Sequence, residues 1–249
     1  AALQAVRDSG RVISALTAYD FPTAKFCDES GIDMVLVGDS LGMVVAGLPD
    51  TTGVTLDQMI YHTQMVRRGI DRALLVSDLP YKTYETAEDA VENGKRLIDA
   101  GADAAKLEGG LGQVHKVEAM TTAGIPMVAH IGMLPQRVVE EGGYKKKGKS
   151  DSEADVLVQA AKDLESAGAG AIVLESIVPS VATRITESIS IPTIGIGAGT
   201  QCDGQIRVIH DLVGGYPWFV PPFANPHADI AAEYRRSIAL FCEEIQSPK

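Results

Sequence analysis

Met34-Val35-Leu36-Val37-Gly38-Asp39 is a short, unbroken apolar run that ends in a carboxylate. Leu74-Leu75-Val76-Ser77-Asp78, Ala104-Ala105-Lys106-Leu107-Glu108 and Ala171-Ile172-Val173-Leu174-Glu175 repeat the pattern. Continuous apolar runs of this length read as strands buried on both faces, as in parallel sheets. One acid at a strand end is ordinary. Four, all at C-terminal ends, gather negative charge on one rim of a sheet. Such neighbours repel by about 4 kcal/mol per pair at about 4 Å, with an effective dielectric of about 20. A metal ion is the usual remedy.

Outward from these runs, strands and helical patterns alternate. Residues 12–18 read as a first strand, and residues 22–30 as a helix that Gly31 stops as a C-cap. A Gly-rich loop covers residues 40–54, Thr55 opens a helix to about Arg68, and Thr86 opens another to about Ala100. A helix at residues 114–122 is followed by a fifth strand at residues 126–130. A long loop at residues 131–150 breaks the rhythm before a strong helix at residues 151–167. A helix at residues 179–188, a seventh strand at 193–197, a weaker eighth at 206–210 and a last helix at 228–245 complete the pattern. Related turns feed strands at Gly31-Ile32-Asp33, Gly101-Ala102-Asp103 and Gly168-Ala169-Gly170. Eight strands with helices between them predict a single (β/α)8 TIM-type barrel over residues 1–249. An open doubly wound sheet is the alternative, but no G-x-G-x-x-G fingerprint follows the first strand.

The bulk numbers agree. A chain of 249 residues with 45% hydrophobic content can bury one large core. A net charge of -11 and a pI near 4.9 argue against a nucleic-acid partner, which would need a basic face. No apolar stretch approaches the roughly 20 residues that span a bilayer, so no membrane partner is expected. Cys27, Cys202 and Cys242 are odd in number and match no metal or redox spacing; free thiols in a reducing cytoplasm are expected. No signal peptide opens the chain, and Ala1-Ala2-Leu3 is expected to be a trimmed start.

In such barrels the active site lies at the C-terminal rim. That rim carries Asp39, Ser40, Asp78, Lys106, Glu108, His130, Glu175 and Gly197. Asp39 and Asp78 are hard oxygen donors suited to Mg²⁺, which takes one or two protein carboxylates and keeps water; the plainer reading makes each a cap for the following turn. Glu108 is a third ligand or orders a metal-bound water. Lys106 lies two residues before Glu108, so the two share one side of the strand. It forms an ion pair with Glu108, faces a substrate carboxylate, or serves Schiff-base chemistry. His130 is either a satisfied buried histidine or a substrate donor. Glu175, among Val173, Leu174 and Ile177, is expected to be desolvated, which suits a general base, or else caps the next helix. Gly195-Ile196-Gly197-Ala198-Gly199 is a weak phosphate motif. The cluster Lys145-Lys146-Lys147-Gly148-Lys149 reads as a solvated loop tip or a lid.

From about Thr17 to Asp211 the chain resembles the ketopantoate hydroxymethyltransferases. The likeness rests on Thr17-Ala18-Tyr19-Asp20, Gly38-Asp39-Ser40-Leu41-Gly42-Met43, Tyr61-His62-Thr63, Val66-Arg67-Arg68-Gly69 and Asp78-Leu79-Pro80. It continues through Lys106-Leu107-Glu108-Gly109-Gly110, His130-Ile131-Gly132, Gly142-Gly143-Tyr144-Lys145, Leu174-Glu175, Arg184-Ile185-Thr186-Glu187 and Gly195-Ile196-Gly197-Ala198-Gly199. The resemblance implies transfer of a hydroxymethyl group from 5,10-methylenetetrahydrofolate to 3-methyl-2-oxobutanoate, with one Mg²⁺ per subunit, in pantothenate biosynthesis. It matches Asp39 and Asp78 to metal ligands that also meet the substrate, associates Glu108 with the metal, matches Ser40 and Lys106 to substrate contacts and Glu175 to the proton acceptor. It also implies a homo-oligomer, a decamer of two stacked rings of five. Two segments depart from the family pattern. Gly53 stands where proline is expected, so that loop is expected to be more mobile, and Pro221-Pro222-Phe223-Ala224-Asn225 lacks a basic residue, which weakens the folate side. The rivals are a phosphoenolpyruvate mutase or isocitrate lyase type of barrel, whose Lys-Cys-Gly-His block is absent, and a silent scaffold barrel.

Overall fold

Alternation of inward and outward side chains organises the barrel. The computed structural model of the chain describes residues 2–246; Ala1, part of the expected trimmed start, lies outside them. Eight parallel strands close in chain order: β1 (Ile13–Thr17), β2 (Met34–Val37), β3 (Leu74–Asp78), β4 (Ala104–Glu108), β5 (Met127–Gly132), β6 (Ala171–Glu175), β7 (Thr193–Ile196) and β8 (Gly204–Arg207). Helices precede, separate and follow them in the chain: α1 (Ala2–Asp8), α2 (Phe21–Glu29), α3 (Leu41–Val44), α4 (Leu56–Arg67), α5 (Ala87–Asp99), α6 (Val114–Thr122), α7 (Asp151–Ser166), α8 (Pro179–Ser188), α9 (Ile209–Val213) and α10 (Ile230–Gln246). Thr55 and Thr86 each close a capping box, with Gln58 and Asp89 respectively.

One apolar cluster fills the barrel, with Ile13, Met34, Leu36, Val76, Ala104, Val128, Val173 and Ile194 among its members, joined by Leu3 of α1. Two residues further along the same strands, the side is ionisable: Asp78 after Val76, Lys106 after Ala104, His130 after Val128, Glu175 after Val173, with Glu108 two residues beyond Lys106. The period of two that buries the core therefore also carries the rim residues to the barrel mouth.

At the opposite rim, acids clasp the strand starts. Asp33 Oδ2 accepts from the Ser14 N–H (2.9 Å) and hydroxyl (2.8 Å). Asp103 Oδ2 accepts from the Leu75 N–H (2.8 Å), and Asp203 Oδ2 from the Thr193 N–H (2.9 Å). Two of these acids close the Gly-Ile-Asp and Gly-Ala-Asp turns read from sequence.

Several elements differ from the sequence reading. α1 was not expected, α3 lies inside the Gly-rich loop, and β5 runs on to Gly132. The eighth strand was expected at residues 206–210, but β8 is Gly204–Arg207 and His210 belongs to α9. Gly204 is why: a Cβ there would lie 2.7 Å from Ile13 Cβ, so the strand starts on a residue with no apolar signal. Around Gly53, Thr51 and Val54 are buried and Asp50 closes a turn on Thr52.

The chain divides into two units, one reaching Ile206 and one starting at Arg207. In the second, Gly214 ends α9 in the left-handed region at φ 65°, and the Ala231 N–H donates to its carbonyl (3.1 Å). α10 buries only Ala231 among its described residues.

Candidate active site

Strand register places the rim side chains opposite one another. Asp78 is in register with Lys106, and Glu108 with His130. Lys106 Nζ lies 2.8 Å from Asp78 Oδ1 and 3.8 Å from Glu108 Oε1. The ion pair with Glu108, one of the readings open for Lys106, is thus the longer contact, and the lysine sits closest to Asp78. His130 Nδ1 lies 3.3 Å from Glu108 Oε1, and Nε2 lies 3.3 Å from Glu175 Oε2, without the alignment of a hydrogen bond. Asp78, Lys106, Glu108 and His130 are buried; the Glu175 side chain is 14% exposed, so it is open to the mouth as the others are not. The rim residues that the sequence separates into metal acids and a base are one chain of contacts, Asp78–Lys106–Glu108–His130–Glu175.

Asp39 follows β2 and is also buried. Its N–H donates to Asp78 Oδ2 (3.1 Å), which brings the two acids together. Burial, Glu108 and Asp78 all push the Asp39 carboxyl well above the usual range. Burial also raises Asp78, against the pull of Lys106. Burial opposes the charge on Glu108, yet His130 and Lys106 outweigh it and hold that carboxyl low. Burial likewise opposes the Lys106 charge, but Asp78 and Glu108 raise it overall. For His130, burial and the Lys106 ammonium are outweighed by Glu108 and Glu175, and its pKa rises to about 9. Among the described residues no cation lies within ion-pair distance of Asp39. The cluster therefore sets four acids, Asp39, Asp78, Glu108 and Glu175, against two basic groups, Lys106 and His130.

That imbalance and the oxygen-rich donor set fit a divalent cation at Asp39 and Asp78, with Glu108 behind them. No three acid, histidine or cysteine side chains among the described residues close into a cage. An open set suits an ion that keeps water or substrate in its shell.

Ser40 starts α3, and its Oγ lies 2.8 Å from the Tyr19 hydroxyl. Glu175 is fixed through its backbone. The Met133 N–H donates to its carbonyl (2.9 Å), and a Cβ at Gly132 would overlap that oxygen, so only glycine permits the approach. Ser176, next in the chain, takes a left-handed φ of 48°, strained for a residue with a Cβ. Lys147 holds it: its N–H donates to the Ser176 carbonyl (2.9 Å) and its carbonyl accepts from the Val178 N–H (2.9 Å). Lys147 is thus no solvated tip. The same loop reaches other rim segments, Tyr81 donating to Glu140 (2.6 Å) and Tyr144 to Met43 Sδ (3.7 Å).

Gln136 and Tyr84 went unnoticed in the sequence. Gln136 Nε2 donates to Asp39 Oδ2 (2.8 Å) and to the Leu79 carbonyl (3.0 Å), and its N–H donates to Glu108 Oε2 (3.1 Å). The Tyr84 hydroxyl donates to Gln136 Oε1. Their only sequence signal is place: both lie in loops that follow acid- or histidine-ended strands.

Fold and side chains define a (β/α)8 barrel enzyme with its polar machinery at the C-terminal mouth. The family described as ketopantoate hydroxymethyltransferase matches residues 1–249. Curated relatives named 3-methyl-2-oxobutanoate hydroxymethyltransferase include those of Pyrobaculum islandicum, 50% identical over 93% of this chain and 88% of the relative, and Clostridium botulinum, 48% identical over 98% and 90%. The chain belongs to the ketopantoate hydroxymethyltransferase family and is a transferase. Solved structures share the fold at low identity: a phosphoenolpyruvate phosphomutase from Streptomyces platensis subsp. rosaceus (TM-score 0.70, 14% identity, covering 99% of this chain and 91% of that one) and a 2,3-dimethylmalate lyase (TM-score 0.66, 17%, covering 100% and 90%).

Proposed function

We propose that this chain transfers a hydroxymethyl group from 5,10-methylenetetrahydrofolate to 3-methyl-2-oxobutanoate, giving 2-dehydropantoate for pantothenate synthesis. The observation that carries the reading is the chain of contacts from Asp78 through Lys106, Glu108 and His130 to Glu175, beside Asp39, in a member of this family. Asp39 and Asp78 would hold one Mg²⁺ per subunit, with Glu108 supporting it. When bound, the cation supplies Lewis-acid polarisation of the 2-oxo group, worth several kcal/mol. Lys106, buried against Asp78, presents its positive charge toward the substrate carboxylate. Ser40, placed by Tyr19, and His130 offer hydrogen bonds to the keto acid. Glu175 accepts the C3 proton, and the resulting carbanion attacks the methylene carbon of the folate's iminium form; water then supplies the hydroxyl oxygen as the remaining carbon–nitrogen bond breaks and tetrahydrofolate leaves. His130 orients Glu175, and Met133 and Lys147 fix the backbone on either side of it.

We also assign a homo-oligomeric state, a decamer by family resemblance, supported by the exposed apolar side chains of α10. A cytoplasmic setting is supported by three free thiols, and no helix among the described residues is long and apolar enough to cross a membrane.

Proton NMR tests the reaction. The C3–H signal of 3-methyl-2-oxobutanoate should disappear in deuterated water when enzyme and Mg²⁺ are both present. Glu175→Gln should slow that exchange by about 10²–10⁴-fold, the usual worth of a placed base, and still bind the keto acid. Normal exchange in the variant would refute the base. Retained Mg²⁺-dependent keto-acid binding in an Asp39→Asn, Asp78→Asn double variant would refute the metal site.

A further inference from the structure

We infer that Gln136 is a positioning residue for the metal site, one that sets which face of Asp39 is offered to the cation. The inference rests on the proposed metal role of Asp39 and Asp78.

Gln136 is 2% exposed, and its hydrogen bonds fix its amide unambiguously. The Leu79 carbonyl can only accept, so the amide end facing it at 3.0 Å must be the NH₂ group. The second hydrogen of that group then points at Asp39 Oδ2, 2.8 Å away. The other end, Oε1, accepts from Tyr84, whose hydroxyl also approaches the Glu108 carbonyl at 3.4 Å. Both ends of the side chain are held, so it cannot flip without losing these bonds. With Oδ2 engaged, the carboxylate of Asp39 is held in one rotamer and Oδ1 is left for another partner.

Gln136 also reaches a second acid. Its backbone N–H donates to Glu108 Oε2 at 3.1 Å. It sits in the helical turn Pro135–Arg137, three residues beyond the point where Met133 binds the Glu175 carbonyl. A single short segment after β5 therefore contacts Asp39, Glu108, the residue after Asp78, and the backbone of Glu175. Among the described residues Lys106 also faces two of the three candidate metal acids with a donor group, but these are Asp78 and Glu108; Gln136 is the one that joins Asp39 to Glu108. A residue that merely filled the core would need none of these donors. Partners behind metal ligands commonly change affinity by about 10–100-fold when removed.

The test uses Mn²⁺ as probe, titrated into the purified full chain without substrate, with the free ion followed by electron paramagnetic resonance. Gln136→Met keeps the volume and removes the side-chain donors to Asp39 and Leu79, leaving the backbone N–H on Glu108 in place. It should weaken Mn²⁺ binding by about 10–100-fold, and Tyr84→Phe, which frees one end of the amide, should weaken it less but in the same direction. Thermal melting reports the fold separately. A lowered melting point with Mn²⁺ affinity within about twofold of wild type in both variants would make Gln136 a core residue only and overturn the inference. Should Gln136→Met fail to fold, unchanged affinity in folded Tyr84→Phe would overturn it. Wild-type protein that binds no Mn²⁺ would overturn the metal reading itself; normal wild-type binding with unaltered variants would overturn the inference alone.

Discussion

At the scale of single residues, Lys106 shows how much charge is balanced in the barrel mouth. Its ammonium stands between Asp78 and Glu108, and all three side chains are no more than 4% exposed. Removing one partner from a buried ion pair leaves an unpaired buried charge, which costs about 3–5 kcal/mol. Lys106→Met is therefore expected to lower stability at pH 7 by about that amount, measured by urea unfolding, and to abolish keto-acid binding. A loss under about 1 kcal/mol would mean that the two acids are solvated or neutral without it. The sequence showed that Lys106 and Glu108 share a side because that follows from the period within one strand. It did not show the tighter contact with Asp78, because that depends on the register between β3 and β4. The same holds for His130, whose two glutamate neighbours come from β4 and β6. Gln136 and Tyr84 stayed hidden because their role comes from loop conformation, which no short periodicity encodes.

At the scale of elements, the strands were legible because an apolar run bounded by Gly and an acid has few other readings. β8 was misplaced because close packing of Gly204 on β1 removes the apolar signal where the strand begins. The repeated turns carried more than their spacing. Asp33 and Asp103 both accept the N–H of the second residue of the strand before their own, while the third turn has Gly170. The Gly170 N–H donates to the Met127 carbonyl (2.8 Å), as the Asp33 N–H does to Ser14 (3.0 Å) and the Asp103 N–H to Leu75 (2.7 Å), so the three turns share one geometry. A Cβ at Gly170 would meet nothing closer than 3.6 Å. Gly170→Asp is thus expected to add the missing clasp on the Met127 N–H and to stabilise by about 0.5–1.5 kcal/mol. The clasp also has a pH signature. Burial opposes the Asp33 charge, but Ser14 and Arg11 outweigh it and hold the carboxyl below the usual range. A carboxyl lowered on folding adds stability above its unfolded pKa of about 3.9, and that stability is lost as pH falls through the folded value. Unfolding followed from pH 6 to pH 3 should show a smaller acid-driven loss in Asp33→Asn than in wild type. Equal slopes would mean that the clasp contributes nothing to acid stability.

At the scale of the whole molecule, α10 carries an apolar stripe that is exposed among the described residues. Tyr234, Ile238, Phe241 and Ile245 recur at intervals of four, three and four residues, which puts them on one helical face, and each is at least 60% exposed. Trp218 is 75% exposed in the same unit. A monomer rarely leaves a contiguous patch of this kind in water, because each large apolar side chain gains about 1.5–3 kcal/mol on full burial. The net charge of -11 works against association through long-range repulsion, so a contact between copies has to be apolar at its centre. A second copy of this chain satisfies that requirement, since closed symmetry is the commonest way for one surface to cover itself. Light scattering at micromolar concentration should then give a mass that is a multiple of 26.3 kDa. The double variant Ile238→Asp, Phe241→Asp should lower that mass, and raising the salt concentration should not break the wild-type assembly, because an apolar contact is not screened. A wild-type mass of one chain across that range, or an assembly of unchanged mass in the double variant, would remove α10 from the interface.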